Sequence, residues 1–193
     1  MARNKEFDPS IVLHKSMGIF GYYGYEGTSL QNLIDGLGIA RQSLYDTFGT
    51  KRDLFISAVT HYLNEKSATV ILKLETSESV RVAIKEIFYE GINILKDEEK
   101  RNECFIMDSA IAQIPHNQEI ADFFDKDLKR LEEAFYKALV RAQEQGEIER
   151  KKDIVALASY LNYSRYSLTQ VAKLSSNPSV LDGLVSVILS TLD

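Results

Sequence analysis

The chain has 193 residues, 45% hydrophobic and 26% charged, the balance of an ordinary globular protein. Ten glycines, three prolines and no tryptophan leave little room for a turn-rich all-β fold, and the sequence contains no run of 18 apolar residues that reads as a membrane span. The net charge of −5 argues against a protein that coats nucleic acid regardless of sequence, but residues 1–55 carry six basic and six acidic side chains, so the whole deficit lies in the 17 basic and 22 acidic ones of the remaining chain.

Helical periodicity dominates the chain. The opening, "MARNKEFDPSIV", runs straight into a charged helix start and lacks the apolar core of a signal peptide. Asp8-Pro9 reads as N-cap and first helical position, and Ile11, Val12, Met17, Ile19 and Phe20 supply an apolar side. Gly24 is expected to end this helix, with "GYEGTS" as a loop. Thr28 or Ser29 caps a second, short helix carrying Leu30, Leu33, Ile34 and Leu37, closed by Gly36 and Gly38. A third runs from about Ala40 to Phe48. "GTKRD" is expected to be a turn, with Thr50 capping a long fourth helix that shows Leu54, Phe55, Ala58, Val59 and Tyr62 on one face.

Further helices are expected over about 77–96, over "CFIMDSAIAQI" up to Pro115, and over 117–145, where Ile120, Phe123, Phe124, Leu128, Leu131, Phe135, Leu139 and Ala142 recur at three-and-four spacing. "KDEEKRNE" (96–103) reads as a polar loop, and Gly146 as a C-cap glycine. Helices over 153–174 and 178–192, separated by "SSNPS", complete an all-α fold of about nine helices. Residues 1–50 read as a three-helix domain and 51–193 as a larger helical one.

The constellation with chemical content is the pair of short helices around Leu37-Gly38-Ile39, the signature of a helix-turn-helix. Gly38 can take the positive φ that such a turn requires. Ala40, Leu44 and Phe48, four apart, share the packed side of the second of these helices. Its opposite arc shows Gln42, Tyr45 and Asp46, flanked by Arg41 and Ser43. Gln and Arg make bidentate bonds to base edges. A tyrosine hydroxyl and Lys51 suit phosphates, and Thr28 or Ser29 at a helix start can aim backbone N–H groups at another. Asp46 repels phosphates, so it is expected either to accept from cytosine N4 or to sit away from the backbone.

"GYEGTSLQNLIDGLGIARQSLYDTFGTKRDLF" (24–55) resembles the DNA-binding domain of the TetR family of bacterial transcriptional regulators. The matching features are Gly24-Tyr25, Thr28-Ser29, Leu33-Ile34, Gly38-Ile39, Leu44-Tyr45, Phe48, Lys51 and Leu54-Phe55, in order and spacing, over about residues 11–56. The resemblance implies an all-helical homodimer, mostly a repressor, that binds a double-stranded operator and answers to a small-molecule effector held in the C-terminal domain. By it the DNA contacts fall on Thr28, Ser29, Arg41, Gln42, Ser43, Tyr45, Thr47 and Lys51. It further implies that the last two helices pair two subunits; their apolar residues Leu157, Leu161, Leu168, Leu181, Leu184, Val185, Ile188 and Leu189 suit two faces, one for the chain's own core and one for a partner. Lys15-Ser16-Met17-Gly18 departs from the family's alanine-rich packing, Asp46-Thr47 stand where aromatics or His are common, and Glu103 stands where one subgroup has Gly.

Candidates for an effector pocket are Phe88, Ile92, Phe105, Met107, Phe124, Tyr163 and Tyr166; the tyrosines recur with Tyr160 every three residues and suit a core or a subunit interface equally. Cys104 beside Arg101 is a candidate redox-sensing thiol, or simply a small apolar side chain opening a helix. A single cysteine excludes an internal disulfide framework and, with the charged start, suits a reducing cytoplasm. His14, His61 and His116 lack companions at ligand spacing, so neither a metal site nor a cofactor is expected. The sequence shows no Ser-His-Asp set, paired carboxylates or glycine-rich phosphate loop, which argues against an enzyme. The rival to a DNA-binding regulator is a helical small-molecule carrier or interaction module without DNA, which would have no use for the polar arc and Lys51.

Overall fold

The computed structural model describes residues 7–193; the charged first six residues, the approach to the first helix, lie outside them. Among the described residues there are nine α-helices: α1 (Pro9–Gly27), α2 (Leu30–Leu37), α3 (Arg41–Phe48), α4 (Lys51–Thr76), α5 (Val80–Lys96), α6 (Arg101–Gln113), α7 (Gln118–Glu144), α8 (Ile154–Leu174) and α9 (Ser179–Ser190). A single 3-10 turn, Ile114–His116, joins α6 to α7. No helix among the described residues is long and apolar enough to cross a membrane.

The ends of these helices reflect local chemistry. Asp8 caps α1, accepting from the Ser10 amide at 2.8 Å, with Pro9 as the first helical residue. Gly24 bends α1 rather than ending it: its φ of 73° is open to a residue without a Cβ, and helix resumes as far as Gly27. The Thr28 amide and hydroxyl both donate to the Gly24 carbonyl, at 3.1 and 2.5 Å, and close the bent turn. Gly36 does not terminate α2 but lies inside it, where a Cβ would come within 2.7 Å of Ile19 Cδ1 on α1. Gly38 does terminate it, at φ 67° and ψ 28°, with its amide donating to the Ile34 carbonyl at 3.0 Å.

Only Gly49 and Thr50 lie outside helix between α3 and α4, so Lys51, Arg52 and Asp53 form the first turn of α4 instead of a loop. Thr50 and Asp53 make a reciprocal capping box: the Thr50 amide donates to Asp53 Oδ2 at 2.8 Å, and the Asp53 amide to Thr50 Oγ1 at 3.2 Å. The polar loop expected over 96–103 is likewise shorter, because Arg101, Asn102 and Glu103 already belong to α6.

The helices pack into two compact units that do not succeed one another along the chain. The first comprises the chain up to Asn64 together with Glu98–Phe123, and the second Glu65–Asp97 with Phe124–Asp193. The packed units therefore differ from the division at residue 50 drawn from the sequence: α6 packs with the N-terminal helices.

In the first unit α6 lies against α1 so closely that a Cβ on Gly21 would overlap the Asn102 carbonyl oxygen and stand 2.8 Å from its carbon and 3.1 Å from the Ile106 amide nitrogen. Ser109 Oγ donates to the Phe20 carbonyl at 3.0 Å, and His14 Nε2 lies 3.1 Å from Glu103 Oε1. Val12, Met17, Phe20, Leu33, Leu44, Leu54, Phe55, Ile106 and Ala110 are the core of this unit.

The second unit is centred on Ile84, Phe88, Ile92, Leu131, Phe135, Leu139, Leu161 and Val185. Polar side chains seal its helix ends. Arg141 donates to the carbonyls of Leu74 at 2.6 Å and Ser77 at 3.2 Å, at the end of α4, and Glu147 accepts from the Arg81 amide at 2.8 Å at the start of α5. A buried carboxylate, Asp127, accepts from Ser67 Oγ at 2.9 Å and Arg130 at 2.8 Å, with the Tyr166 hydroxyl at 3.4 Å. Burial holds the Tyr166 phenol neutral and, with Asp127 also acting in that direction against Arg165, its pKa is pushed up to about 12.

Candidate nucleic-acid interface

The site is α3 and its surroundings. Leu44 is buried, and on the other side of the helix Arg41, Gln42, Tyr45 and Asp46 are exposed while Ser43 and Thr47 are half-buried. This is the arc expected from four-residue spacing. Its members are prearranged. The Arg41 guanidinium lies 5.6 Å from the centre of the Tyr45 ring, within cation–π range. The Gln42 side-chain amide donates to Asp46 Oδ1 at 2.8 Å. Asp46 thus has a partner on its own helix, which neither expectation drawn for it from the sequence included.

Lys51 opens α4 with its ammonium 4.6 Å from the centre of the Tyr25 ring. Tyr25 in turn packs on Phe55 at 4.7 Å and Phe20 at 6.4 Å between ring centres. The bend at Gly24 is what lets Tyr25 fold back onto these rings. Tyr25 is the residue that sequence reasoning missed here; the Gly24-Tyr25 pair was its only signal, and it names a family trait without showing the ring's task.

Two residues assigned from the start of α2 fare differently. Ser29 is exposed and caps the helix: its hydroxyl accepts from the Asn32 amide at 3.1 Å, and its own amide donates to Asn32 Oδ1 at 2.9 Å. Helix geometry leaves the next amides, those of Leu30 and Gln31, for solvent or an anion. Thr28 is only 1% exposed, and its hydroxyl is held by the Gly24 carbonyl. Both polar groups of Thr28 expected at a phosphate are thus engaged at the bend of α1, its amide donating to the same carbonyl.

A groove beside the start of α3 is lined by Asp8, Ile11, Lys15, Ile39, Ala40 and Ser43. It brings Lys15 of α1 to the edge of the same surface, a basic residue that no sequence pattern assigns to it.

The effector candidates divide between the units. Phe105 and Met107 are buried in the first, and Phe88, Ile92 and Phe124 in the second, where Tyr166 is half-buried beside Asp127. Tyr163 is corrected: at 54% exposure it points away from the core, because α8 turns Leu157, Leu161 and Leu168 inward and leaves Tyr160 and Tyr163 outside. Of the apolar supply of the last two helices, Leu157, Leu161, Leu168, Leu181, Val185 and Ile188 face the chain's own core, whereas Leu184 is exposed. The outward apolar residues of α8 and α9 include Val155, Tyr160, Tyr163, Leu174, Val180, Leu184 and Val187. Cys104 is buried in α6, the position of a small apolar side chain. Among the described residues no group of three or more His, Cys, Asp or Glu is placed to hold a metal ion.

Comparison with known proteins bears on the same segment. A family profile described as "Bacterial regulatory proteins, tetR family" matches residues 12–58. The whole chain is 56% identical, over 194 aligned residues and the full length of both, to the uncharacterized HTH-type transcriptional regulator YezE of Bacillus subtilis (strain 168). It is 29% identical to the HTH-type transcriptional repressor ComR of Escherichia coli (strain K12), over 83% of this chain and 77% of that one. Among solved structures, a cysteine mutant of the TetR family transcriptional regulator CifR, complexed with 26-base-pair double-strand operator DNA, superposes with a TM-score of 0.83 at 25% identity, covering 99% of this chain and 100% of that one.

Proposed function

The chain belongs to the TetR family of bacterial transcriptional regulators, a family of DNA-binding proteins rather than enzymes, and we propose that it is a homodimeric repressor released from a near-palindromic operator by a small-molecule effector. The observation that carries this is the outer arc of α3, where Arg41, Gln42, Tyr45 and Asp46 stand exposed on a short helix anchored by buried Leu44. A helix of this kind enters the major groove, and two of them read half-sites about one helical turn of DNA apart. Arg41 and Gln42 supply base-edge contacts with Ser43 and Thr47 beside them. Ser29, Tyr45 and Lys51 address phosphates. The acidity of the whole chain is no obstacle, since the segment up to residue 55 is neutral.

Pairing through α8 and α9 is supported by the exposed apolar set Val155, Tyr160, Tyr163, Leu184 and Val187, which a lone subunit has no reason to present. The effector binds among the buried aromatic and aliphatic side chains of the C-terminal helices. It relieves repression only by favouring the state of the dimer that fits DNA poorly, which requires unequal affinity for the two states. A protein of this kind works in the cytoplasm.

Gel-shift titration on the DNA upstream of its own gene tests the reading. Binding is expected to weaken steeply with salt as phosphate contacts release counterions. Arg41→Ala is expected to cost about 1–3 kcal/mol per half-site, and Tyr45→Phe a smaller amount. Val187→Asp is expected to give monomers in sedimentation and to lose tight operator binding. Parent-like binding by Arg41→Ala would remove the groove assignment, and a Val187→Asp dimer the pairing.

A further inference from the structure

The exposed surface of α3 contains a contact with a defined chemical direction. Gln42 and Asp46 lie one helical turn apart, and the Gln42 Nε2 donates to Asp46 Oδ1 at 2.8 Å. An ionised carboxylate only accepts hydrogen bonds, whereas a carboxamide donates from one end and accepts at the other. The end of Gln42 next to Asp46 must therefore be its NH2 group, and the carbonyl oxygen Oε1 is the end turned away. A free glutamine has no such preference.

We propose that Asp46 is a specificity-determining positioning residue: by holding the Gln42 amide, it makes Gln42 read a base that offers an exocyclic amino group in the major groove, adenine before cytosine. The proposal rests on the reading that α3 lies in that groove. Adenine offers the N6 amino group as donor to Oε1 and the N7 acceptor to the second hydrogen on Nε2, so both bonds form without breaking the contact to Asp46. Cytosine offers the amine alone. Guanine presents two acceptors, N7 and O6; binding them would draw both amide hydrogens away and leave the Asp46 carboxylate facing acceptors. Thymine O4 is a lone acceptor that the second amide hydrogen can reach, but it leaves Oε1 without a donor, so it offers one bond where adenine offers two.

The competing account is helix support, because Gln-to-Asp pairs one turn apart stabilise helices slightly wherever they occur. The same spacing recurs among the described residues in Gln31 to Asp35 at 2.7 Å and Gln118 to Asp122 at 2.8 Å. Those on α2 and α7 need no further explanation. On α3 the carboxylate stands on the face offered to a polyanion, where it opposes binding. A pair kept only for a small gain in helicity has no reason to be there.

The experiment is selection of bound sequences from operators randomised through each half-site, with the full-length protein and its Gln42→Ala and Asp46→Ala variants. Thermal unfolding is recorded for each, to show that exposed substitutions leave the fold intact. Gln42→Ala is expected to flatten the preference at one position per half-site, which identifies the base that Gln42 reads. In the parent that base is expected to be adenine or cytosine. Asp46→Ala is expected to keep overall affinity or raise it, while discrimination against guanine at that same position falls by about tenfold or more, within the range set by one bidentate contact. Guanine or thymine at the Gln42 position in the parent overturns the proposal. So does an Asp46→Ala preference identical to the parent's, which leaves the pair as helix support. If the parent selects no DNA at all, the groove reading itself fails, and this proposal fails with it.

Discussion

Two glycines three residues apart in α1 are expected to respond to the same substitution with opposite signs. Gly18 has no atom within 4 Å of the place where a Cβ would stand. Replacing it by alanine removes backbone freedom from the unfolded chain and costs nothing in the folded one, a gain of about 0.5–1 kcal/mol. Gly21 gains the same helical propensity, but its Cβ would overlap the Asn102 carbonyl oxygen and lie 2.8 Å from the carbonyl carbon, against the roughly 3.5–4.0 Å of ordinary carbon contacts. The obstacle is backbone in the first turn of α6, which cannot rotate aside as a side chain can. The helix has to withdraw by more than about 1 Å, and overpacking of this kind costs about 1–3 kcal/mol, occasionally more. With the backbone as obstacle the upper end applies, leaving Gly21→Ala destabilised by about 2 kcal/mol after the propensity gain. For a chain of this size about 2–4 °C of Tm accompanies each kcal/mol. Gly21→Ala should therefore melt about 4–8 °C below the parent, and Gly18→Ala a few degrees above it by the same conversion. Circular dichroism melts at one fixed protein concentration measure both, since self-association shifts Tm. A Gly21→Ala protein that melts with or above Gly18→Ala would refute the close packing of α1 on α6.

Two pH responses trace to single groups. The amide and hydroxyl of Thr50 hold the Asp53 carboxyl below its ordinary value, so its contribution is present above the unfolded pKa of about 3.9. That contribution is lost as pH falls through the lower folded value, and Asp53→Asn should flatten this part of the stability profile in denaturant titrations from pH 6 to pH 3. At the alkaline end, Tyr166 is raised to about 12 by burial. Its contribution is complete below pH 10 and is lost as pH rises from there through 12. Absorbance at the tyrosinate band should show a late step, and Tyr166→Phe should delete it. An unchanged curve would mean that the phenol is open to water.

The order of helices was legible because their signals are local. Asp8-Pro9, Gly38 and the spacing of Leu44 and Phe48 each act within a few residues, and α3 stands with the expected face outward. The same locality explains the misreadings. Gly24 has the positive φ of a terminator, but the bonds from Thr28 to its carbonyl carry helix beyond it. Whether a glycine ends a helix or bends it depends on the residues C-terminal to it. Gly21 and Asn102 are separated by most of the first unit in sequence, and no periodicity announces that one makes room for the other. Tyr163 shares its three-residue spacing with Tyr166, yet a hundred degrees of helix rotation per residue puts one outside and the other near Asp127. The Gln42-to-Asp46 spacing is plain in the sequence. Its partnership is not, because an exposed carboxylate and amide on one face have solvent and nucleic acid as equally simple partners.

The interleaving of α6 with the N-terminal helices sets where this regulator can be cut and rejoined. A chimera that grafts residues 1–50 onto a foreign effector body would take Phe20 and Tyr25 without Phe55, the ring they pack on at 4.9 and 4.7 Å. It would also bring Gly21 without the Asn102 backbone it is shaped to admit. The transferable cassette is discontinuous, the chain up to Asn64 together with Glu98–Phe123, so recombinants that respect it should read the parent's operator where simple N-terminal fusions do not.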